Sequence, residues 1–339
     1  MVNVGVIGYG YWGPNLVRNF MEVPGSTVAA VSDLRDARLT EVSRRYPTIR
    51  TTRSADDLFN DASIDAIVVA TPVFSHFDLA LRALQAGKHV LVEKPLTSTS
   101  DQATQLIDEA SRRKLVLMVD HTFVYTGAVR KIREMVDGKE LGDIYYYDSV
   151  RVNLGLFQHD VSVIWDLAVH DLAIMDYVLA AKPCAVAATG ISHLAGQPEN
   201  VAYITLFFEG RQIAHIHVNW LAPVKVRQTL IGGSQKMIVY DDLEPSEKIK
   251  VYDKGVNVTR GSEDVYEMLV SYRSGDMWAP RLDATEGLRT EALHFLDCIE
   301  NGAAPLTDGQ AGLRIVRLLE AAEKSLKGRG QIVKLEESR

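Results

Sequence analysis

Val2-Asn3-Val4-Gly5-Val6-Ile7-Gly8-Tyr9-Gly10-Tyr11-Trp12-Gly13 opens the chain and decides its fold class. Val2, Val4, Val6 and Ile7 make an apolar run too short for a helix, and it ends in a G-x-G-x-x-G pattern at Gly8, Gly10 and Gly13. This reads as a strand that enters a glycine turn and continues into a helix. Gly8 takes the tight turn, Gly10 lets the backbone approach a pyrophosphate, and Gly13 lets the helix pack against the strand. The helix then offers its N–H groups and positive dipole end to phosphate. In a chain with 24 glycines the pattern alone says little. Its context says more: residues 26–32 read as a second strand, and Asp33 closes it twenty residues after Gly13, where a carboxylate accepts hydrogen bonds from an adenosine ribose. The expectation is a dinucleotide-binding unit.

Length and composition bound what can be built on that unit. At 339 residues, 47% apolar and 24% charged, the chain is long for one hydrophobic core, so two domains are expected. With 37 basic against 44 acidic residues the formal charge is −7, which supplies no basic footprint for nucleic acid or an anionic membrane. Cys184 and Cys298 match no metal or redox spacing. His215 and His217 share one face of a predicted strand, but no Cys, Asp or Glu completes a site near them, so no metal is expected. There is no apolar run of membrane-spanning length, and the N-terminus passes straight into a strand without the pattern of a leader. A cytoplasmic protein is the expectation.

Strand and helix patterns alternate strictly through the first 120 residues. Strands at 2–7, 26–32, 64–70, 88–92 and 115–119 are separated by helices at 14–23, 36–46, 75–86 and 100–113, the signature of a doubly wound parallel α/β sheet. The rhythm changes near Asp120. A helix at 128–136, a strand at 144–152 and a helix at 161–180 lead into consecutive strands at 185–191, 201–208, 212–218, 226–231 and 236–240. These predict an α+β domain with an open, mostly antiparallel sheet. Residues 242–283 alternate poorly and read as loop, and helices at 286–300 and 310–326 and a strand at 331–335 finish the chain. The expected division is a Rossmann domain at 1–121 and a substrate-binding and oligomerisation domain at 122–339. Helices on only one side of the second sheet leave its other face for a second subunit, giving a homodimer or homotetramer.

With Gly8–Gly13, Glu93-Lys94-Pro95 and Asp166-x-x-x-His170 in hand, the chain resembles the glucose-fructose oxidoreductase/inositol dehydrogenase/rhizopine-catabolism family of sugar oxidoreductases. The likeness runs over essentially the whole chain. Within the family, the stretches 153–157, 164–166 and 271–276 look most like members acting on nucleotide-linked sugars, including UDP-N-acetylglucosamine 3-dehydrogenases. The resemblance implies an NAD(P)-dependent dehydrogenase for a secondary hydroxyl of a sugar. It implies cofactor contacts at Gly8, Gly10, Tyr11, Trp12, Gly13, Asp33, Thr71, Pro72, His76, Glu93, Lys94 and His121. A plain first-turn residue explains His76 as well, and Tyr11 and Trp12 either line the pocket or pack on the next helix.

Three residues carry the chemistry. Lys94 stands at the C-terminal end of a predicted parallel strand, where open α/β sheets bind ligands, and the proline after it keeps it out of helical geometry. A cation fixed there stabilises the alkoxide that forms as an alcohol loses its proton. Asp166 and His170, four apart on a predicted helix, share a face. Histidine suits a general base near neutral pH, and a carboxylate beside it sets its tautomer. Asp171 falls on the apolar row of the same helix, so it either needs a buried partner or faces the pocket. Arg151, Asn153 and Phe157 complete a substrate set with Lys94, Asp166 and His170, although a strand edge also explains them. Asp33 favours NAD, while Arg35 and Arg38 offer contacts to the 2′-phosphate of NADP if Asp33 turns away. An inositol or free-sugar dehydrogenase is one alternative, and a regulator that kept the nucleotide site without chemistry is another, although it would have no chemical reason to retain the trio.

Overall fold

A computed structural model describes residues 1–155, 161–259 and 269–335. It divides into two compact units, Met1–Thr126 with Thr285–Glu320, and Gly127–Ala284 with Ala321–Arg339.

In the first unit the expected alternation is realised: β1 (Val2–Ile7), α1 (Gly13–Glu22), β2 (Ser26–Ser32), α2 (Asp36–Arg45), β3 (Arg50–Thr52), a short α3 (Asp56–Phe59), β4 (Ala66–Val69), α4 (His76–Gln85), β5 (His89–Glu93), α5 (Ser100–Arg113) and β6 (Leu117–Asp120). The strands are all parallel in the order β3-β2-β1-β4-β5-β6, the doubly wound arrangement whose ligand crevice lies where the order reverses, between β1 and β4. Every residue of β4 is buried, as its unbroken apolar run requires of a strand covered on both faces.

The second unit begins with α6 (Gly127–Asp137) and β7 (Ile144–Leu154). The helix expected at 161–180 is instead a π-turn at Ile164–Ala168 followed by α7 (Val169–Val178). The wider turn inserts a residue relative to an α-helical register, which a hydrophobic pattern does not reveal, and such turns frequently occur at functional sites. Then come β8 (Pro183–Ile191), β9 (Val201–Phe208), β10 (Ile213–Asn219), β11 (Leu221–Gly233), β12 (Met237–Asp241), β13 (Ile249–Tyr252), β14 (Gly255–Thr259), β15 (Leu269–Arg273) and β16 (Met277–Trp278), and β17 (Val333–Lys334) near the C-terminus. Eight of them join β7 in one nine-stranded sheet, β16-β13-β12-β11-β7-β10-β9-β8-β17, and β14 pairs with β15 apart from it. Within this nine-stranded sheet, among the described residues, only β7 and β10 pair in parallel. β13 to β16 fall in the stretch expected to be loop. They are only two to five residues long, which leaves little room for a period-2 pattern to be read, and each is marked by the strand it pairs with. No described helix is long and apolar enough to cross a membrane.

The two last helices, α8 (Gly287–Asn301) and α9 (Gly309–Lys327), depart from the expected division. All of α8 and most of α9 belong to the first unit, and that unit continues to Thr126 rather than ending at 121. Phe295 on α8 meets Phe20 on α1 edge to face at 6.1 Å, Arg18 pairs with Glu286 at 2.6 Å, and Thr307 donates to the Val119 carbonyl. Gly309 and Gly312 let α9 lie close on Ile107, Leu96 and Val119. The amphipathic patterns announce the helices but not which apolar surface they cover. Phe295 is fully buried, so Phe295→Ala should destabilise the first unit by about 3–5 kcal/mol, read by urea denaturation.

Candidate active site

The C-terminal ends of β1, β2, β4, β5 and β6 gather most of the expected cofactor residues on one edge of the first unit. At the end of β1, Gly8 has φ +98°, and a Cβ there would stand 2.4 Å from the Ala70 carbonyl oxygen. A Cβ on Gly13 would stand 2.2 Å from the Gly8 carbonyl oxygen. Over Gly10 the nearest atom to such a Cβ is Arg35 Nη2 at 3.7 Å, so that face of the turn is left open, as a pyrophosphate lying against it requires. Asp33 is buried at the end of β2 and held in place: the Tyr9 amide donates to Oδ2 at 2.8 Å, and the Arg35 amide and Nε donate to Oδ1 at 2.9 and 3.0 Å. Burial alone would raise its pKa, but the Arg35 side chain and the two amides outweigh this and hold it below the usual carboxylate value. The carboxylate is therefore charged at neutral pH and does not turn away from the glycine turn. Glycine turn, fixed acid and helix N-terminus together fit a dinucleotide.

The remaining residues of this edge divide. Thr71 is half-buried and Pro72 exposed after β4, and Glu93 and Lys94 are half-buried at the end of β5, with a cis Lys94–Pro95 bond. His76, expected to contact the cofactor, is only 1% exposed, with Nδ1 2.9 Å from the Pro95 carbonyl oxygen and Nε2 2.8 Å from that of Thr71. It ties the turn after β4 to the turn after β5, so its bearing on a ligand is through those turns. His121, after β6, is also buried. Tyr11 stands 85% exposed instead of packing on α1, whereas the Trp12 indole Nε1 donates to Asp120 Oδ2 at 2.6 Å.

In the second unit, Asp166 lies within the π-turn and His170 in the first turn of α7, both half-buried. Trp220, between β10 and β11, donates its Nε1 to Asp166 Oδ2 at 3.1 Å and is itself 1% exposed. Gly155 makes room for that indole, since a Cβ there would meet Trp220 Cδ1 at 2.6 Å. Trp220 is the site residue the sequence did not reveal. Nothing in its surroundings distinguishes it from a core tryptophan until β10 and β11 bring it to the π-turn.

Arg151 corrects the sequence expectation. Tyr147, Ser149 and Arg151 alternate along β7 and so point to one face, beneath α7, and all three are buried. Arg151 Nε donates to Asp171 Oδ2 at 2.7 Å, Ser149 Oγ donates to Asp171 Oδ1 at 2.7 Å, and the Tyr147 hydroxyl donates to the Asp171 carbonyl at 3.2 Å. The aspartate on the apolar row of the helix has its buried partner, and the arginine is that partner, because a charge taken out of water must be paired. Asn153, next on the same face, is half-exposed, and Phe157 lies outside the described residues. Among the described residues no cluster could hold a metal ion.

Comparison with known proteins agrees with this geometry. Residues 2–121 match the model of an oxidoreductase family with an NAD-binding Rossmann fold, and residues 129–239 match the C-terminal domain of the same GFO/IDH/MocA family. The chain belongs to the GFO/IDH/MocA oxidoreductases. It is 30% identical over 263 residues to an uncharacterised oxidoreductase, YdgJ, of Escherichia coli, covering 73% of each chain. It is 27% identical over 319 residues to a UDP-N-acetylglucosamine 3-dehydrogenase of Acidithiobacillus ferrooxidans, covering 93% of this chain and 94% of the relative. It is 25% identical over 354 residues to a myo-inositol 2-dehydrogenase of Thermotoga maritima, covering 99% of both. The solved structure of the Acidithiobacillus enzyme, GnnA, superposes with a TM-score of 0.81 at 26% identity over 97% of this chain and 99% of the other. As a family member, the chain is an enzyme of the dehydrogenase type that uses NAD or NADP.

Breaking the pair beneath α7 should cost stability. Arg151→Met strands a buried carboxylate and is expected to lose about 3–5 kcal/mol in urea denaturation, while the double variant Arg151→Met/Asp171→Leu should recover most of it.

Proposed function

We propose that the chain is an NAD-dependent dehydrogenase acting at a secondary hydroxyl or ketone of a sugar, with a nucleotide-linked amino sugar, oxidised at ring carbon 3, as its substrate. The observation that carries this reading is the presence, in one GFO/IDH/MocA chain, of Lys94 at the end of β5 and of Asp166 and His170 on the π-turn and α7. The likeness to the UDP-N-acetylglucosamine 3-dehydrogenase over 93% of the chain supports the nucleotide-linked class. A cyclitol or free sugar is the second reading, favoured by the match to the myo-inositol 2-dehydrogenase over 99% of the chain. It keeps the same residues in the same roles.

When bound at the glycine turn, NAD supplies the hydride acceptor. His170 takes the proton of the hydroxyl as the hydride leaves the carbon, and in reduction it returns that proton. Asp166, its carboxylate set by the Trp220 indole, orients the imidazole and stabilises the cation that forms. Lys94 stabilises the oxygen as its negative charge builds. The fixed, ionised Asp33 bonds ribose hydroxyls and repels a 2′-phosphate, which favours NAD. The outward face of the second unit's sheet, where Tyr203 stacks on His217 with ring centroids 4.4 Å apart and Ile213 is 43% exposed, is the surface for a second copy, giving a homodimer or homotetramer. A monomeric mass by light scattering would contradict that assembly.

A panel of UDP-sugars, inositols and free sugars, followed by NADH absorbance, tests the substrate class, and turnover confined to inositols would select the second reading. Calorimetry should show NAD binding more tightly than NADP, and equal or tighter NADP binding would overturn the role of Asp33. Lys94→Ala should lower kcat on the order of 100-fold to 1000-fold with little change in cofactor affinity, because the charge it meets exists only in the transition state. A folded Lys94→Ala enzyme within a few-fold of the parent would overturn the assignment.

A further inference from the structure

Glu291, on the second turn of α8, is fully buried within the first unit. A lone buried carboxylate is costly, and among the described residues neither carboxyl oxygen of Glu291 accepts a hydrogen bond. Its carboxyl faces the carboxylate of Asp120 and the hydroxyl of Thr122, with Glu93 at the end of β5 also bearing on it. Asp120 is already engaged: its Oδ2 accepts from Trp12 Nε1 and its Oδ1 from the Thr122 hydroxyl. Two buried carboxyls set against one another cannot both be ionised. Asp120 already accepts from two donors and Glu291 from none, so the proton between them is placed on Glu291. The direction of its pKa agrees, since burial first and then the charge of Asp120 push it well above the ordinary value.

Two further contacts fix α8 where this can happen. Glu286, just before the helix, accepts from Arg18 at 2.6 Å and from Asn19 at 3.4 Å, both on α1, and Gly287 fits closely against the Thr122 carbonyl. Glu291 is thereby held next to the strand end that carries Asp120. The indole at the other side of Asp120 belongs to the glycine turn.

We infer that Glu291, as a neutral acid, shares its proton with Asp120 and so positions the Trp12 indole, and with it the glycine turn, for the dinucleotide. Glu291 is then a positioning residue for cofactor binding, supplied from α8 at the far end of the chain. The inference rests on the reading that the glycine turn holds the pyrophosphate.

Dissociation constants for NADH, with thermal melting of the apo-protein, test it in the parent, Glu291→Gln, Glu291→Leu, Trp12→Phe and the double variant Trp12→Phe/Glu291→Leu. The Gln amide still donates to Asp120, so Glu291→Gln should bind NADH within about twofold of the parent. Leu cannot donate, so Glu291→Leu should bind roughly tenfold more weakly, the cost of one hydrogen bond. In the Trp12→Phe background the Leu substitution should add little, since its effect passes through the indole. Infrared difference spectra of parent against Glu291→Gln should show a protonated-carboxyl C=O stretch at neutral pH that the substitution removes. This keeps the inference falsifiable if the Leu variant does not fold. A folded Glu291→Leu protein that binds like the parent, a Gln variant as weak as the Leu variant, additive effects with Trp12→Phe, or a carboxylate band alone would each overturn it. A parent protein that binds neither NADH nor NADPH would instead overturn the reading of the glycine turn.

Discussion

At the end of β1 the backbone passes so close to β4 that a single methyl group at Gly8 would overlap the Ala70 carbonyl, and the first unit depends on that approach. β1 lies between β2 and β4, so whatever leaves its C-terminal end emerges at the point where the strand order reverses. Gly13 repeats the constraint from the other side, letting α1 return over the turn. Once the turn is this tight, the Tyr9 amide comes within 2.8 Å of Asp33, and the acid at the end of β2 is oriented by the turn it faces. A larger residue at either glycine would displace the turn, the helix and the acid together.

The edge built around that turn is held by parts distant in sequence. His76 joins the turns after β4 and β5 through two carbonyls, and Trp12 joins the glycine turn to Asp120 at the end of β6. Asp120 in turn lies beside Glu291, which comes from α8 after residues 127–284 of the second unit have been traversed. Thr307 and α9 close over the same strand, with Thr307 bonding both the Val119 carbonyl and the Tyr125 hydroxyl. The dinucleotide-binding unit is thus finished only when residues 285–320 fold back onto it.

In the second unit the polar groups serve two different ends. The Tyr147, Ser149 and Arg151 face of β7 is consumed by Asp171, which gives α7 a fixed seat on the sheet. One turn earlier, the π-turn departs from the α-helical register and carries Asp166 to the Trp220 indole. A buried ion pair under the helix and a widened turn at its start are separate devices. The first costs desolvation and is compensated by hydrogen bonds, and the second places a carboxylate where a regular helix would not.

The sequence by itself determined the parallel α/β sheet, the glycine turn with its acid, the antiparallel strands of the second unit and the motif residues Lys94, Asp166 and His170. All of these are written in local pattern: apolar runs, period-2 alternation, glycine spacing and the residue before a proline act over a few positions and leave a trace that can be read along the chain. Tertiary structure alone decided that Arg151 pairs with Asp171, that His76 is a strut between turns, that Trp220 meets Asp166, that short strands form within 249–259 and 269–278, and that α8 returns to the first unit. Each of those depends on which distant surface a side chain or a helix face meets. An amphipathic stripe or a polar residue on a strand specifies that it must be satisfied, and only the packed chain specifies by what.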